Sequence, residues 1–220
     1  GTPVTEVIPE KTLEITGRLK FFIAENAKSA RHFLKQLPNG ISQQEIEVKE
    51  MDKHVSHIDF DFYFNQLRSG NDVGLLSEAG MPAIADPGSA YVLQAHKEGI
   101  RVIPLSGPSS IFMALAASGL NGQSFAFNGY LPKEKESRMS KIQQLEKLSD
   151  KFRQTQIFIE TPYRNQALLT DILNTCGPAR LLCIASDISL PTESIKTLTI
   201  AEWRKKTVDL NKKPTVFLLL

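Results

Sequence analysis

The sequence predicts an α/β protein in two consecutive halves, a parallel-sheet N-terminal domain followed by a mixed-sheet C-terminal domain. Three observations carry this. Apolar runs of strand length alternate with stretches whose apolar residues recur at helical spacing. The strand ends run into loops dense in Gly and Pro. A βαβα pattern over residues 73–119 gives way near Leu120–Gln123 to a second alternating series. The 220 residues suffice for two domains of about 100 residues each. They are placed at 1–121 and 122–220.

Lys20–Glu25 (KFFIAE) reads as a strand, and Asn26–Leu37 as the helix that follows, broken by Pro38-Asn39-Gly40. Ile58–Leu67 places Phe60, Tyr63, Phe64 and Leu67 at helical spacing. Val73–Ser77 is a short buried strand that opens into a loop running to Gly88. Ser89–Glu98 is helical, with Gly99 positioned to close it. Ile100–Leu105 reads as a strand, Ser106-Gly107-Pro108 as a tight turn, and Ser109–Ser118 as an apolar helix ended by Gly119. In the second half, strands are expected at Ser124–Asn128, Gln156–Glu160, Arg180–Ser186, Ser194–Leu198 and Thr215–Leu220. The helices between them are Lys133–Asp150, Arg164–Thr175 and Ile200–Lys206. Met139, Ile142, Leu145 and Leu148 form the inward stripe of the first.

Composition excludes several classes. With 41% hydrophobic and 23% charged residues the chain has the balance of a soluble globular protein, so a cytoplasmic location is expected. No apolar run approaches the roughly 18 residues needed to span a bilayer. Cys176 and Cys183 lack any CxxC spacing and read as buried free thiols. His54 and His57 have no third ligand nearby in sequence, so no metal is expected. No G-x-G-x-x-G or P-loop pattern occurs, against a dinucleotide-binding or nucleotide-hydrolysing enzyme. The net charge of +2 is uneven. Residues 1–121 carry 11 Lys and Arg against 14 Asp and Glu, and residues 122–220 carry 15 against 10. A basic second half suits a polyanionic substrate or simply a solvated surface.

Ligands of open α/β sheets bind beyond the carboxyl ends of strands, and three loops stand there. In the first, Ser77-Glu78-Ala79-Gly80-Met81-Pro82 continues to Ala85-Asp86-Pro87-Gly88. Its glycines admit unusual backbone conformations and its prolines stiffen the path. The second, Ser106-Gly107-Pro108-Ser109-Ser110, opens a helix whose free N–H groups suit a polar ligand edge, with Ser109 able to cap it. The third is Phe127-Asn128-Gly129-Tyr130-Leu131-Pro132. A cleft between two such domains is the expected place for a ligand.

The runs VGLLSEAGMPAIADPG, IRVIPLSGPSSIFMALAASGL, FAFNGYLP and IFIETPYRN, in that order, resemble the bacterial small-subunit rRNA (cytidine-2′-O)-methyltransferase family. That family lies within the tetrapyrrole (corrin/porphyrin) methylase superfamily. The resemblance covers roughly residues 20–190. It implies a two-domain, tetrapyrrole-methylase-like α/β fold, a homodimer, and S-adenosylmethionine as cofactor. By position, the family's S-D-A-G-T-P is Ser77, Glu78, Ala79, Gly80, Met81 and Pro82. Its P-G-P-S-A turn is Ser106, Gly107, Pro108, Ser109 and Ser110, and its Y-E-A-P-H-R begins at Ile159 and ends at Arg164. Ala185 and Pro214 match the remaining cofactor-facing stretches.

This chain also departs from the pattern. Glu78 replaces the family's Asp and Met81 its Thr; A-E-D-T-R reads Ala24-Glu25-Asn26-Ala27-Lys28; and A-R-E reads Ala185-Ser186-Asp187. Thr2-Pro3 keeps the start of T-P-I-G-N, but the Gly and Asn that should follow are replaced. A strand before Gly1 is therefore expected.

Methyl transfer from a sulfonium requires alignment and exclusion of water. A ribose hydroxyl gains from a carboxylate that takes its proton, and Glu25, Asp86 and Glu160 all follow strand ends. Each could equally brace a loop. Lys28 and Arg164 are the candidates for holding substrate phosphate. Lys133, Lys135, Arg138, Lys141 and Arg204-Lys205-Lys206 favour rRNA, or the ribosomal small subunit, as partner. Methylation of a small tetrapyrrole, or a weakened S-adenosylmethionine-binding protein, remain the alternatives.

Overall fold

The chain begins with two helices absent from the sequence reading, α1 (Val4–Val7) and α2 (Glu10–Thr16), each entered through a proline whose fixed φ suits a helix start. In the computed structural model the described residues are 3–37, 42, 44–51 and 60–220. They divide into two compact units, 1–109 and 110–220. Thr2, the Pro38-Asn39-Gly40 break, His54, His57 and the start of the helix expected from Ile58 lie outside the described residues.

In the first unit, β1 (Phe21–Ala24) is followed by α3 (Ala27–Leu34), whose N-cap Asn26 accepts the Ser29 N–H at 3.0 Å. Next come β2 (Glu47–Glu50), α4 (Asp61–Arg68), β3 (Val73–Leu76) and α5 (Ser89–Lys97). The sheet has the order β2-β1-β3 and is parallel throughout, so Phe22 stands beside Val48 on one side and Gly74 on the other. Gly74 is small because a Cβ there would lie 2.7 Å from the Phe22 ring. Leu13 of α2 closes a core with Phe22, Ala24, Ala30 and Leu34. On the other side Tyr63, Phe64 and Tyr91 pack with Ile23 and Met51, the rings meeting edge to face.

Two expectations change here. The strand β2 was missed because Glu-Val-Lys-Glu offers one apolar side chain, and only Val48 is buried. Residues 100–105 were expected to form a strand but pair with no strand among the described residues. Pro104 has no N–H for a ladder, and among the described residues β3 pairs with β1 alone. Ile100 still packs on the aromatic cluster, while Ile103 is exposed.

The second unit starts at α6 (Ser110–Ser118), continues through β4 (Phe125–Tyr130), α7 (Lys135–Phe152), β5 (Thr155–Ile159) and α8 (Asn165–Thr175), and ends with β6 (Leu181–Ser186), β7 (Ser194–Thr199), α9 (Ile200–Trp203) and β8 (Thr215–Leu219). Its sheet is mixed, β4-β5-β8-β6-β7, with only β4 and β5 parallel. The expected boundary at 121/122 differs from this division for a packing reason. The residues Ile111, Ala114 and Leu115 of α6 join Ile157, Cys183, Ala185 and Leu218 in one core. The opposite face buries Ile142, Leu145, Phe158, Leu168, Ile172 and Trp203.

Arg138, expected among the basic residues facing RNA, is instead buried against Asp171, with Nη2 and Oδ2 2.6 Å apart. It lies one residue before the partly buried Met139, at the rim of the stripe that Ile142 and Leu145 continue into the core. Both thiols are buried and free. Burial pushes the Cys176 thiol up to about 12 and raises that of Cys183. Both are therefore protonated at pH 8. In the folded protein neither is expected to react with an aromatic disulfide reagent at that pH, and both should react once denaturant is added. Prompt labelling of the native chain would contradict this packing.

Candidate functional site

Parallel pairing places the carboxyl ends of β1, β2 and β3 on one side of the first sheet, and each end delivers a carboxylate. Glu25 follows β1, Glu50 ends β2 and Glu78 follows β3 by two residues. Glu25 Oε2 accepts the Glu78 N–H at 3.2 Å and the Ser77 hydroxyl at 3.5 Å. Glu78 Oε1 accepts the Ser29 hydroxyl at 2.8 Å, and Glu50 Oε2 accepts the Ala27 N–H at 3.1 Å. The start of α3, with Lys28 exposed in its first turn, is thus tied to both neighbouring strands. Anionic groups suit this end of the helix because its first N–H groups carry partial positive charge.

The loop after β3 is held in an unusual conformation. Gly80 has φ +76°, and Ala83 and Ala85, which carry a Cβ, have φ +66° and +63°. Such residues cost of order 1–3 kcal/mol each unless their surroundings enforce them. Asp86 supplies the enforcement: its Oδ1 accepts the N–H groups of Ala83 at 2.9 Å and Gly88 at 2.7 Å. Its Oδ2 is buried and has no partner among the described residues. The expectation for Gly88 needs revision. Its φ is −60°, open to any residue, and what requires glycine is close approach: a Cβ would lie 2.9 Å from Asp86 Oδ1 and 3.2 Å from Ala83 N. The N–H groups of Ala79, Gly80 and Met81 have no partner among the described residues.

The loop carrying Ser106, Gly107 and Pro108 is anchored by a residue the sequence reading overlooked. Thr12 of α2 donates its hydroxyl to the Ser106 carbonyl at 2.7 Å. Ser109 is buried and immediately precedes α6, whose first residue is Ser110. Nothing local in sequence marks Thr12, which is 94 residues from Ser106.

In the second unit the strand registers collect the remaining candidates at one edge of the sheet. Ile159 stands opposite Val216, Ser186 opposite both Thr215 and Ser194, and Tyr130 opposite Ile159. Ile159, Glu160, Ala185 and Pro214 therefore share that edge. Glu160 is buried and forms an ion pair with Arg164, and its Oε1 also accepts the Thr161 N–H at 2.7 Å. Its Oε2 is buried without a partner among the described residues. Arg164 also donates from Nε to the Thr161 hydroxyl at 3.3 Å. Asn165, fully buried, donates to the Lys213 carbonyl at 2.7 Å and so fixes the turn that leads to Pro214. Asp187 has φ +52°, and its N–H donates to the Pro214 carbonyl at 3.0 Å. Among the described residues no group of His, Cys, Asp and Glu could hold a metal, and no helix is long and apolar enough to cross a membrane.

Comparison with known proteins gives a consistent picture. Residues 7–203 match the family model of the tetrapyrrole (corrin/porphyrin) methylases. A Vibrio cholerae protein named ribosomal RNA small subunit methyltransferase I is 38% identical over 138 residues, which are 63% of this chain and 46% of that protein. The Pseudomonas aeruginosa protein of the same name is 31% identical over 208 residues, 92% of this chain and 69% of that one. The chain thus spans about half to two thirds of the length of these relatives. Among solved structures, the methyltransferase CobJ superposes with a TM-score of 0.62 at 17% identity, covering 97% of this chain and 88% of that one. At that identity the likeness is one of fold.

Proposed function

The chain belongs to the tetrapyrrole (corrin/porphyrin) methylase family, and from that premise we propose that it is an S-adenosylmethionine-dependent methyltransferase acting on small-subunit ribosomal RNA. The observation that carries the reading is the loop from Ser77 to Gly88, a strained, Asp86-braced turn that presents the free N–H groups of Ala79, Gly80 and Met81. Unpaired donors on a rigid backbone fit the polar edges of S-adenosylmethionine, whose chemistry is an electrophilic methyl group on a sulfonium. Ser77, Glu78, Gly80, Met81 and Pro82, with Ser106, Gly107, Pro108 and Ser109, are the first unit's proposed cofactor contacts, and Ser110 opens the second unit's set. Ile159, Ala185 and Pro214 are the others of the second unit.

Ribose 2′-O methylation requires a proton to leave the attacking hydroxyl. Glu25 fits this role better than the other two carboxylates. Its Oε2 holds the loop, and its Oε1, which has no partner among the described residues, is open to solvent, whereas the unpartnered Asp86 Oδ2 and Glu160 Oε2 are buried. Asp86 spends Oδ1 on two N–H groups, and Glu160 is neutralised by Arg164. Glu25→Gln keeps an oxygen for the loop but removes the proton acceptor. It should lower kcat about 100-fold or more, within the usual range for a lost general base, with cofactor binding retained. Activity within twofold of the parent would take the role from Glu25. Lys28, exposed at the start of α3, and the partly exposed Arg164 are proposed to meet substrate phosphates. A cytoplasmic homodimer is the working assembly.

S-adenosylmethionine at about 100 times its Kd should stabilise the fold by about 2.7 kcal/mol, a rise in Tm of about 5 °C or more. Absence of a shift at millimolar cofactor would remove the cofactor assignment. Ribose-methylation mapping of rRNA from a strain lacking the protein is the decisive experiment on substrate. Unaltered rRNA would leave the small-tetrapyrrole alternative.

A further inference from the structure

On the face of the second unit's sheet that carries Trp203, an open cavity of about 290 Å³ is lined by Ser186, Ser194, Lys196, Lys206 and Thr207 as well as the indole. Trp203 forms part of its wall, its Nε1–H being committed to the Leu182 carbonyl at 2.8 Å. The lining contains two lysines and no carboxylate. Neither ammonium has an ion-pair partner among the described residues, because the acids of this unit that form ion pairs are taken by arginines. Glu160 pairs with Arg164, Asp171 with Arg138, and Glu146 and Asp150 with Arg180. The nearest other acids along the chain from Lys206 are Asp209, whose Oδ1 accepts the Asn211 N–H at 3.0 Å, and Glu202, which is engaged by the Thr199 hydroxyl and N–H. The Thr199 bonds, more than the charges of Lys206 and Lys205, hold the Glu202 carboxyl below the ordinary range.

The hydroxyls of Ser194 and Thr207 likewise have no partner among the described residues. Two cations and two hydroxyls thus line one cavity with no anion among them. The segment that borders it, 204–213, carries Arg204, Lys205, Lys206, Lys212 and Lys213 against a single acid, Asp209. Residues 110–220 carry 15 Lys and Arg against 10 Asp and Glu, so the surrounding field has the same sign.

We propose that this cavity is a phosphate anchor for the RNA substrate: Lys196 and Lys206 neutralise one backbone phosphodiester, and the Ser194 and Thr207 hydroxyls donate to its oxygens. The proposal rests on the reading of the chain as an RNA methyltransferase and assigns part of the RNA contact to the second unit. A free phosphate ion would satisfy the same groups. A polymer is favoured because the cavity is open and the cations continue past it along the chain.

The test is equilibrium binding of a fluorescent small-subunit rRNA transcript, without cofactor, over a salt series, comparing the parent chain with Lys196→Gln/Lys206→Gln and with Lys147→Gln/Lys151→Gln on α7 as control. Each phosphate contact to single-stranded RNA contributes about 0.7 to the slope of log K against log salt. The cavity variant should therefore bind about tenfold more weakly with a slope flatter by about 0.7, and the control should match the parent. Lys196→Arg/Lys206→Arg should restore the slope. An unchanged slope in the cavity variant overturns the proposal. So does a rise in Tm with 10 mM inorganic phosphate that depends on these lysines while RNA affinity does not, which gives the cavity to a free anion. If the double variant fails to fold, the single variants carry the same comparison. The cofactor-induced Tm shift is recorded on every variant. Its absence in the parent would count against the methyltransferase reading, whereas a normal shift beside an unchanged RNA slope would count against this anchor alone.

Discussion

Arg138→Ala is expected to destabilise the second unit by about 3–5 kcal/mol, the usual cost of leaving one partner of a buried ion pair uncompensated. That is a fall in Tm of about 10 °C or more. Arg138 donates from Nε to Asp171 Oδ2 at 2.8 Å and from Nη1 to the Lys133 carbonyl at 2.6 Å. It thereby joins α7 to α8 and pins the turn that enters α7. Its removal strands an Asp171 side chain that is only 5% exposed. Arg138→Met combined with Asp171→Leu should recover most of the loss, since the buried charge disappears together with its partner. Thermal melting followed by circular dichroism decides the matter. A single variant melting within about 2 °C of the parent would show that the pair is solvated and not structural.

Asp86→Ala is expected to abolish the S-adenosylmethionine-induced Tm shift and to lower activity at least about 100-fold. Two hydrogen bonds to a charged acceptor are lost, at about 1.5–3 kcal/mol each. They are the bonds that hold Ala83 and Ala85 at positive φ. Without them the loop is expected to relax toward ordinary backbone angles and to lose the arrangement of its free N–H groups. Asp86→Asn keeps an acceptor oxygen at the same place, so it should retain the cofactor shift and more than about a tenth of the activity. This contrast separates bracing from proton transfer. An Asn variant that binds cofactor normally but does not turn over would return Asp86 to the role of proton acceptor.

Much of the architecture was legible because burial writes a periodic pattern into the chain. The expected strand at Lys20–Glu25 is β1 to within a residue at each end, and the long helix expected at 133–150 is α7. What was illegible lacks such a pattern. Glu47–Glu50 is a charged edge strand with a single buried side chain. The run at 100–105 has strand composition but no partner strand among the described residues. The helix α2 shows only one fully apolar buried position, Leu13, in its seven residues. Arg138 was read as a solvent-facing cation because its companion Asp171 is 33 residues away.

The candidate site divides the same way. Loop positions such as Ser77, Gly80 and Pro82 could be named from spacing and resemblance, since backbone geometry there depends on residues adjacent in the chain. The working partners of those positions could not. Glu25 meets Glu78 across 53 residues, Thr12 meets Ser106 across 94, and Asn165 meets Lys213 across 48. The sequence by itself determined the alternation of strands and helices, the family, and which loops to examine, because these depend on local propensity and periodic burial. Only the tertiary structure decided which carboxylates keep their spare oxygen buried and which leaves it open, and which cations are neutralised. Hydrogen bonds and ion pairs act over about 3 Å, and the groups that satisfy them are brought within that distance by folding alone.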